Sequence, residues 1–146
     1  MSSRRLLIVS CSARKLKENR TPAWNLYDGT AFRTLKKTER EFGIPTDLDI
    51  LILSAKYGLI FPTAVIDHYD QPMSNAIAAL QSTANCGFLS AFLSTHNYRE
   101  VFLFAGQTYL LALQPVDSWL PSGVRLIIPP GGIGDKLHEL KRWLST

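Results

Sequence analysis

The stretch Asp49-Ile50-Leu51-Ile52-Leu53-Ser54-Ala55-Lys56-Tyr57-Gly58-Leu59, running on to Asp67-His68-Tyr69-Asp70, decides the fold. Its first part is a continuous apolar run. Such a run fits a strand buried on both faces, inside a sheet covered on both sides. Small, cationic and aromatic residues follow at once, so they lie at the mouth of the sheet. Open α/β sheets take their ligands at that edge.

Three further runs read the same way: Leu6 to Val9, Val101 to Phe104 and Val124 to Ile128. Between them lie helical patterns. One starts at Thr30, with Phe32, Leu35 and Phe42 on one side, and stops at Gly43-Ile44-Pro45. A long one begins at Ser74, a credible N-cap, and carries Ile77, Leu80, Ala84, Phe88 and Phe92. A short one runs from Tyr109 through Leu113, and a last one places Leu137, Leu140 and Leu144 inward. Strand and helix alternate, which predicts a single α/β domain over residues 1–146. The expected architecture is a three-layer α/β/α sandwich with a central four-stranded parallel sheet.

The totals narrow the class. Apolar residues make up 46% and charged residues 19%, which excludes a disordered chain. A net charge of +4 favours an anionic partner such as nucleic acid. Two cysteines, Cys11 and Cys86, make no disulfide framework. No secretory signal precedes the first strand, and no stretch reads as a membrane span. The expectation is a cytoplasmic protein with no membrane association and no obligate protein partner.

In a parallel sheet the four strand exits converge. The first, Ser10-Cys11-Ser12-Ala13-Arg14-Lys15, offers small polar groups, backbone amides and two cations for a phosphate. The second offers Lys56, to bind phosphate or stabilise a leaving base, and Tyr57, to stack on a base. The third offers Gly106 and Gln107, whose amide can read a base edge. The fourth, with Gly131 and Gly132, reads as a backbone cradle or a flexible turn. Tyr27 is a second aromatic suited to stacking, and Asp28 follows it. Asp28 and Asp70, ahead of Asp67, are the candidate catalytic carboxylates, able to stabilise a sugar cation or orient water. His68, His96 and His138 show no paired-ligand spacing, so no metal is expected. The glycine run 131–134 is neither a P-loop nor a dinucleotide fingerprint, so no cofactor is expected either.

Together, Ser10 to Lys15, Leu26-Tyr27-Asp28-Gly29, Ser54 to Leu59 and Tyr69-Asp70 resemble a family of small bacterial and phage proteins related to the peroxide stress protein. The arrangement also resembles the uracil-DNA glycosylase superfamily and the related domain of archaeosine synthases, which carries a similar Cys-Ser-Ala-Arg-Lys turn. The second resemblance implies a DNA glycosylase that flips a base out of DNA and hydrolyses its N-glycosidic bond, leaving an abasic site. It places Ser10 to Lys15 and Pro129 to Gly134 against the flipped nucleotide. The His-Pro-Ser type loop of that superfamily is Pro-Pro-Gly-Gly here, and its water-activating motif is absent. The implied substrate is therefore a modified base, for which hypermodified or glucosylated cytosine in phage DNA is one source, with antiviral defence as the role. Two other readings stay open: a non-enzymatic DNA-binding stress-response protein, and a nucleotide or nucleoside N-glycoside hydrolase.

Overall fold

Strand β1 (Arg4–Ser10) is the middle of the sheet, because every side chain from Leu6 to Val9 is inaccessible to solvent. The computed structural model describes residues 3–11 and 14–146. On one side β1 pairs in parallel with β3 (Leu48–Ser54), Leu7 opposite Ile50. On the other it pairs in parallel with β6 (Tyr98–Phe104), Leu7 opposite Phe102. The strand β7 (Arg125–Ile127) adds in parallel beyond β6.

The sheet is not the expected four-stranded, all-parallel one. It is mixed and has five strands, because β4 (Gly58–Ile60) folds back antiparallel on β3 and forms an edge. The reversal needs Gly58. Its φ is +72°, and a Cβ there would lie 2.9 Å from Asn85 Oδ1. A second, two-stranded ladder joins β2 (Thr21–Pro22) to β5 (Val65–Ile66). Sequence periodicity has no purchase on two-residue strands.

Alternation along each strand divides the core in two. Leu7, Val9, Ile52, Phe102 and Phe104 point to one face. That face is covered by α1 (Ala23–Leu26), α2 (Thr30–Phe42) and α5 (Ile133–Leu144), through Phe32, Leu35, Leu140 and Trp143. Leu6, Ile8, Leu51, Leu53, Val101 and Leu103 point to the other. There α3 (Asn75–Ser94) packs through Ala78, Cys86, Leu89 and Leu93, followed by α4 (Gln107–Leu111) and Trp119. Helices therefore lie on both faces.

Ser74 caps α3 as expected, its Oγ accepting the Ile77 N–H at 3.2 Å. The buried side of α3 differs from expectation: Leu80 is exposed, and Asn85 is buried instead. Asn85 Oδ1 accepts the Leu59 N–H and its Nδ2 donates to the Ala112 carbonyl, so a polar residue seals this interface. Gly87 does not interrupt the helix. Across its 20 residues α3 has no charged side chain, and by length and composition it is long and apolar enough to cross a membrane, contrary to the sequence reading. Phe42 is also exposed, at the last position of α2.

The amino-terminal edge of the sheet is held by an ionic cluster. The Arg5 side chain is 1% exposed; its guanidinium meets Asp47, donates to the Trp143 carbonyl and lies 4.7 Å from the Trp143 ring. Arg99 reaches the same Asp47 carboxylate at 2.6 Å. Arg4 forms a two-pronged pair with Asp49, which also accepts from Tyr98 Oη. The Arg5 and Arg99 hydrogen bonds pull the Asp47 carboxyl down to about 2 from its ordinary 3.8. A depressed carboxyl contributes stability that is fully present above its unfolded value and is lost as pH falls through its folded value. Urea denaturation at a series of pH values should therefore show stability falling between about 4 and about 2. Asp47→Asn should flatten that acid limb; an unchanged slope would contradict the cluster.

Candidate functional site

At the carboxyl edge, Tyr69 gathers the chain. Its ring is buried, and its Oη lies 2.7 Å from Tyr27 Oη and 2.8 Å from Ser54 Oγ. Ser54 Oγ also accepts the Lys56 and Tyr57 N–H groups, at 3.1 and 3.0 Å. With both its lone pairs taken, Ser54 donates its own proton to Tyr69. Three hydroxyls thus fasten the β3 exit to the segment before α2 and to the segment after β5. Burial pushes the Tyr27 hydroxyl up to about 12 and raises that of Tyr69 too, so both stay neutral at physiological pH. Among the described residues no buried side-chain polar atom is left unpaired.

Beside this knot lies a cavity of about 470 Å³, lined by residues of the β1 and β6 exits and by the segment from Asp70 to Met73. That volume suits a small ligand. Cys11 forms part of its floor. The Cys11 Sγ lies 3.1 Å from Tyr109 Oη and accepts the Ala55 N–H at 3.4 Å. Burial is the main cause that raises the Tyr109 hydroxyl, and its bond to Cys11 adds to it. Gln71, on the same wall, donates to the Ala55 carbonyl at 2.8 Å, and Gln81 donates to that carbonyl at 2.9 Å. A larger cavity of about 810 Å³ runs along α2 from Arg33 to Phe42, against residues 43–46 and the end of α5.

The structure brings part of the expected set together. Cys11, Lys15, Asp70, Gly106 and Gln107 line the cavity. Ser10 ends β1, half-buried. The Lys15 ammonium lies 4.6 Å from the centre of the Tyr69 ring; the Lys56 ammonium lies 5.9 Å from it and 5.3 Å from Tyr57, but Lys56 and Tyr57 are outside the cavity lining, contrary to expectation. Tyr57 is partly exposed, with its ring set edge-on to Tyr69 at 5.6 Å. Asp70 is exposed on the cavity wall, with one oxygen 3.6 Å from His68 Nε2.

Other expectations need correction. Tyr27 has no accessible surface, so it cannot stack on a base; its role is the buried hydroxyl link. Asp28 is not in the cavity. Arg33, first of all, and Arg14 bond its carboxylate and hold it below the usual carboxylate range. Arg14 is turned to that pair rather than to the cavity. Gly131 and Gly132 lie outside the cavity lining as well. The group nearest that turn is the chain's own Asp135: the Gly132 N–H points to Asp135 Oδ2 at 3.4 Å, and a Cβ on Gly131 would lie 2.5 Å from the same oxygen. Ser12 lies outside the described residues.

Sequence reading missed Ser54, Tyr69, Gln71 and Tyr109 as members of the site. Tyr69 and Tyr109 carry the only signal, being tyrosines beside a polar cluster and a strand exit. Their importance comes from long-range bonds that spacing does not encode. Tyr69→Phe removes the middle hydroxyl and strands Ser54 and Tyr27. It should cost about 1–3 kcal/mol in urea denaturation. A loss no larger than that of an exposed control such as Tyr57→Phe would contradict the knot.

With this geometry in view, comparison with known proteins places the chain. No curated protein matches it. A crystal structure of AF0587, a protein of unknown function, superposes with a TM-score of 0.54 over 99% of this chain at 14% identity. This chain covers 45% of that one, so it corresponds to a little under half of the neighbour, and the likeness is one of fold alone. The profile of a family of unknown function, DUF6884, matches residues 6–142, which is nearly the whole chain. The protein belongs to that family.

Proposed function

We propose that this protein is a DNA glycosylase. It would hydrolyse the N-glycosidic bond of a modified base flipped from the helix into the cavity at the carboxyl edge of the sheet. The observation that carries the reading is the cavity itself. Its space of about 470 Å³ is lined by Asp70, Lys15 and the exposed Gln107. The parallel β3-β1-β6-β7 core with helices on both faces supports kinship with the uracil-DNA glycosylase superfamily. The relation to the peroxide stress protein family is proposed on the segments Ser10 to Lys15, Leu26 to Gly29, Ser54 to Leu59 and Tyr69-Asp70.

In this mechanism the bond from C1′ to the base nitrogen breaks. Its electron pair leaves with the base, which takes up a proton. Asp70 stabilises the sugar cation and orients the water whose oxygen bonds to C1′. Gln107 hydrogen-bonds the base edge. Tyr57, the exposed aromatic beside Tyr69, stacks on the nucleotide. The reading places Asp28 outside the reaction, since its carboxylate neutralises Arg14 and Arg33.

The test incubates the protein with plain duplexes and with duplexes carrying modified bases, then cleaves abasic sites with alkali. Wild type should release base from a modified duplex. Asp70→Asn should slow release by about 100-fold or more, and Asp28→Asn should leave it near the wild-type rate. No cleavage of any duplex, or full activity in Asp70→Asn, would overturn the reading. Release from mononucleotides alone would favour a nucleotide hydrolase instead.

A further inference from the structure

We propose that Gln71 reads the ligand in this cavity, and that it selects a base carrying an exocyclic amino group, as cytosine and adenine do. This deepens the glycosylase reading: that the ligand is a base rests on it, whereas the orientation of the Gln71 amide does not.

Gln71 is half-buried and lines the cavity with Cys11, Asp70 and Gln107. Its Nε2 donates to the Ala55 carbonyl at 2.8 Å. A carbonyl only accepts, so the amide cannot be turned over; reversal would set two oxygens against each other. The anchor is itself held. Gln81 Nε2 donates to the same carbonyl and to that of Ser54. The Ala55 N–H goes to Cys11 Sγ, and Ala55 has no accessible surface. Gln81 is set in turn by Asn85, whose Nδ2 donates to Gln81 Oε1 at 3.2 Å. Asn85 takes its own orientation from the backbone, accepting the Leu59 N–H and donating to the Ala112 carbonyl.

In this chain of amides the oxygens of Asn85 and Gln81 are both used. That of Gln71 is not: among the described residues no donor reaches its Oε1. No buried side-chain polar atom among those residues lacks a partner, so this oxygen is open to solvent. The cavity wall therefore carries an acceptor whose orientation the backbone dictates. An amide free to rotate serves donors and acceptors alike, as Gln107 can at its exposed position. Gln71 meets a ligand with oxygen and asks for an N–H. Cytosine and adenine carry an amino donor at the edge where thymine and uracil carry an oxygen. The ring N–H of those two lies between carbonyl oxygens, and reaches Oε1 only with acceptors on both sides of it. An amino group donates without that opposition.

The experiment is calorimetric titration of the full chain with 2′-deoxycytidine 5′-monophosphate, with its 2-pyrimidinone analogue, in which hydrogen replaces the amino group, and with 2′-deoxyuridine 5′-monophosphate. The cytidine nucleotide should bind about fivefold or more tightly than either of the others. Gln71→Leu should bring the affinities to within about twofold of one another, whereas damage to the fold would weaken all of them alike. Circular dichroism checks that Gln71→Leu is folded, and the 2-pyrimidinone arm removes the donor without touching the protein. Equal binding of the nucleotides by wild type, binding of none of them, or a preference that survives Gln71→Leu would overturn the inference. Cleavage of a modified duplex without such a preference would remove this inference and leave the glycosylase reading standing. A preference without cleavage of any duplex would do the reverse.

Discussion

The hydroxyl of Tyr69 is the constraint on which the carboxyl edge depends. A phenol buried in an apolar core must find partners, and this one finds Tyr27 and Ser54. Those two bonds decide where three chain segments run. Ser54 then fixes the turn through Lys56 and Tyr57, because its oxygen satisfies their two amides. The Lys56–Tyr57 turn is thus held by buried groups.

The two edges of the sheet divide the labour. At the amino-terminal edge, Arg4, Arg5 and Arg99 are consumed by Asp47 and Asp49. At the other edge, Arg14 and Arg33 are consumed by Asp28. Each cluster has more arginines than carboxylates, so part of the net charge of +4 lies within these clusters. The Lys15 and Lys56 ammoniums lie near the ring of Tyr69 instead.

The main strands and helices were legible because each buries a full face. The runs from Leu6, Ile50 and Val101 are apolar throughout, as doubly covered strands must be. The edge strand from Gly58 was hidden because three residues carry no period. Its hairpin depends on a positive φ and on contact with Asn85, 27 residues further on. The inward side of α3 was misassigned for a related reason. Ala, Ser, Thr and Gly fill so much of that helix that the exposed Leu80 joins the apparent stripe, while the packed side runs through Ala78, Asn85 and Leu89, with Phe88 and Phe92 half-buried against the core. At the site, the β1 and β6 exits line one cavity, whereas the glycines of the β7 exit do not join it. Which side chains enter the cavity was not readable from alternation. Tyr27 and Asp28 sit side by side in the chain, yet one is sealed in the core and the other is drawn off by two arginines.

The central claim is that Tyr69 is the fixed centre around which the Lys15 and Lys56 ammoniums and the Tyr27 ring assemble. The most direct measurement is a set of proton–proton nuclear Overhauser contacts from the Tyr69 ring in the wild-type protein in solution. The account predicts contacts to the terminal methylenes of both lysines and to the ring of Tyr27. A Tyr69 ring in contact with neither lysine would contradict it.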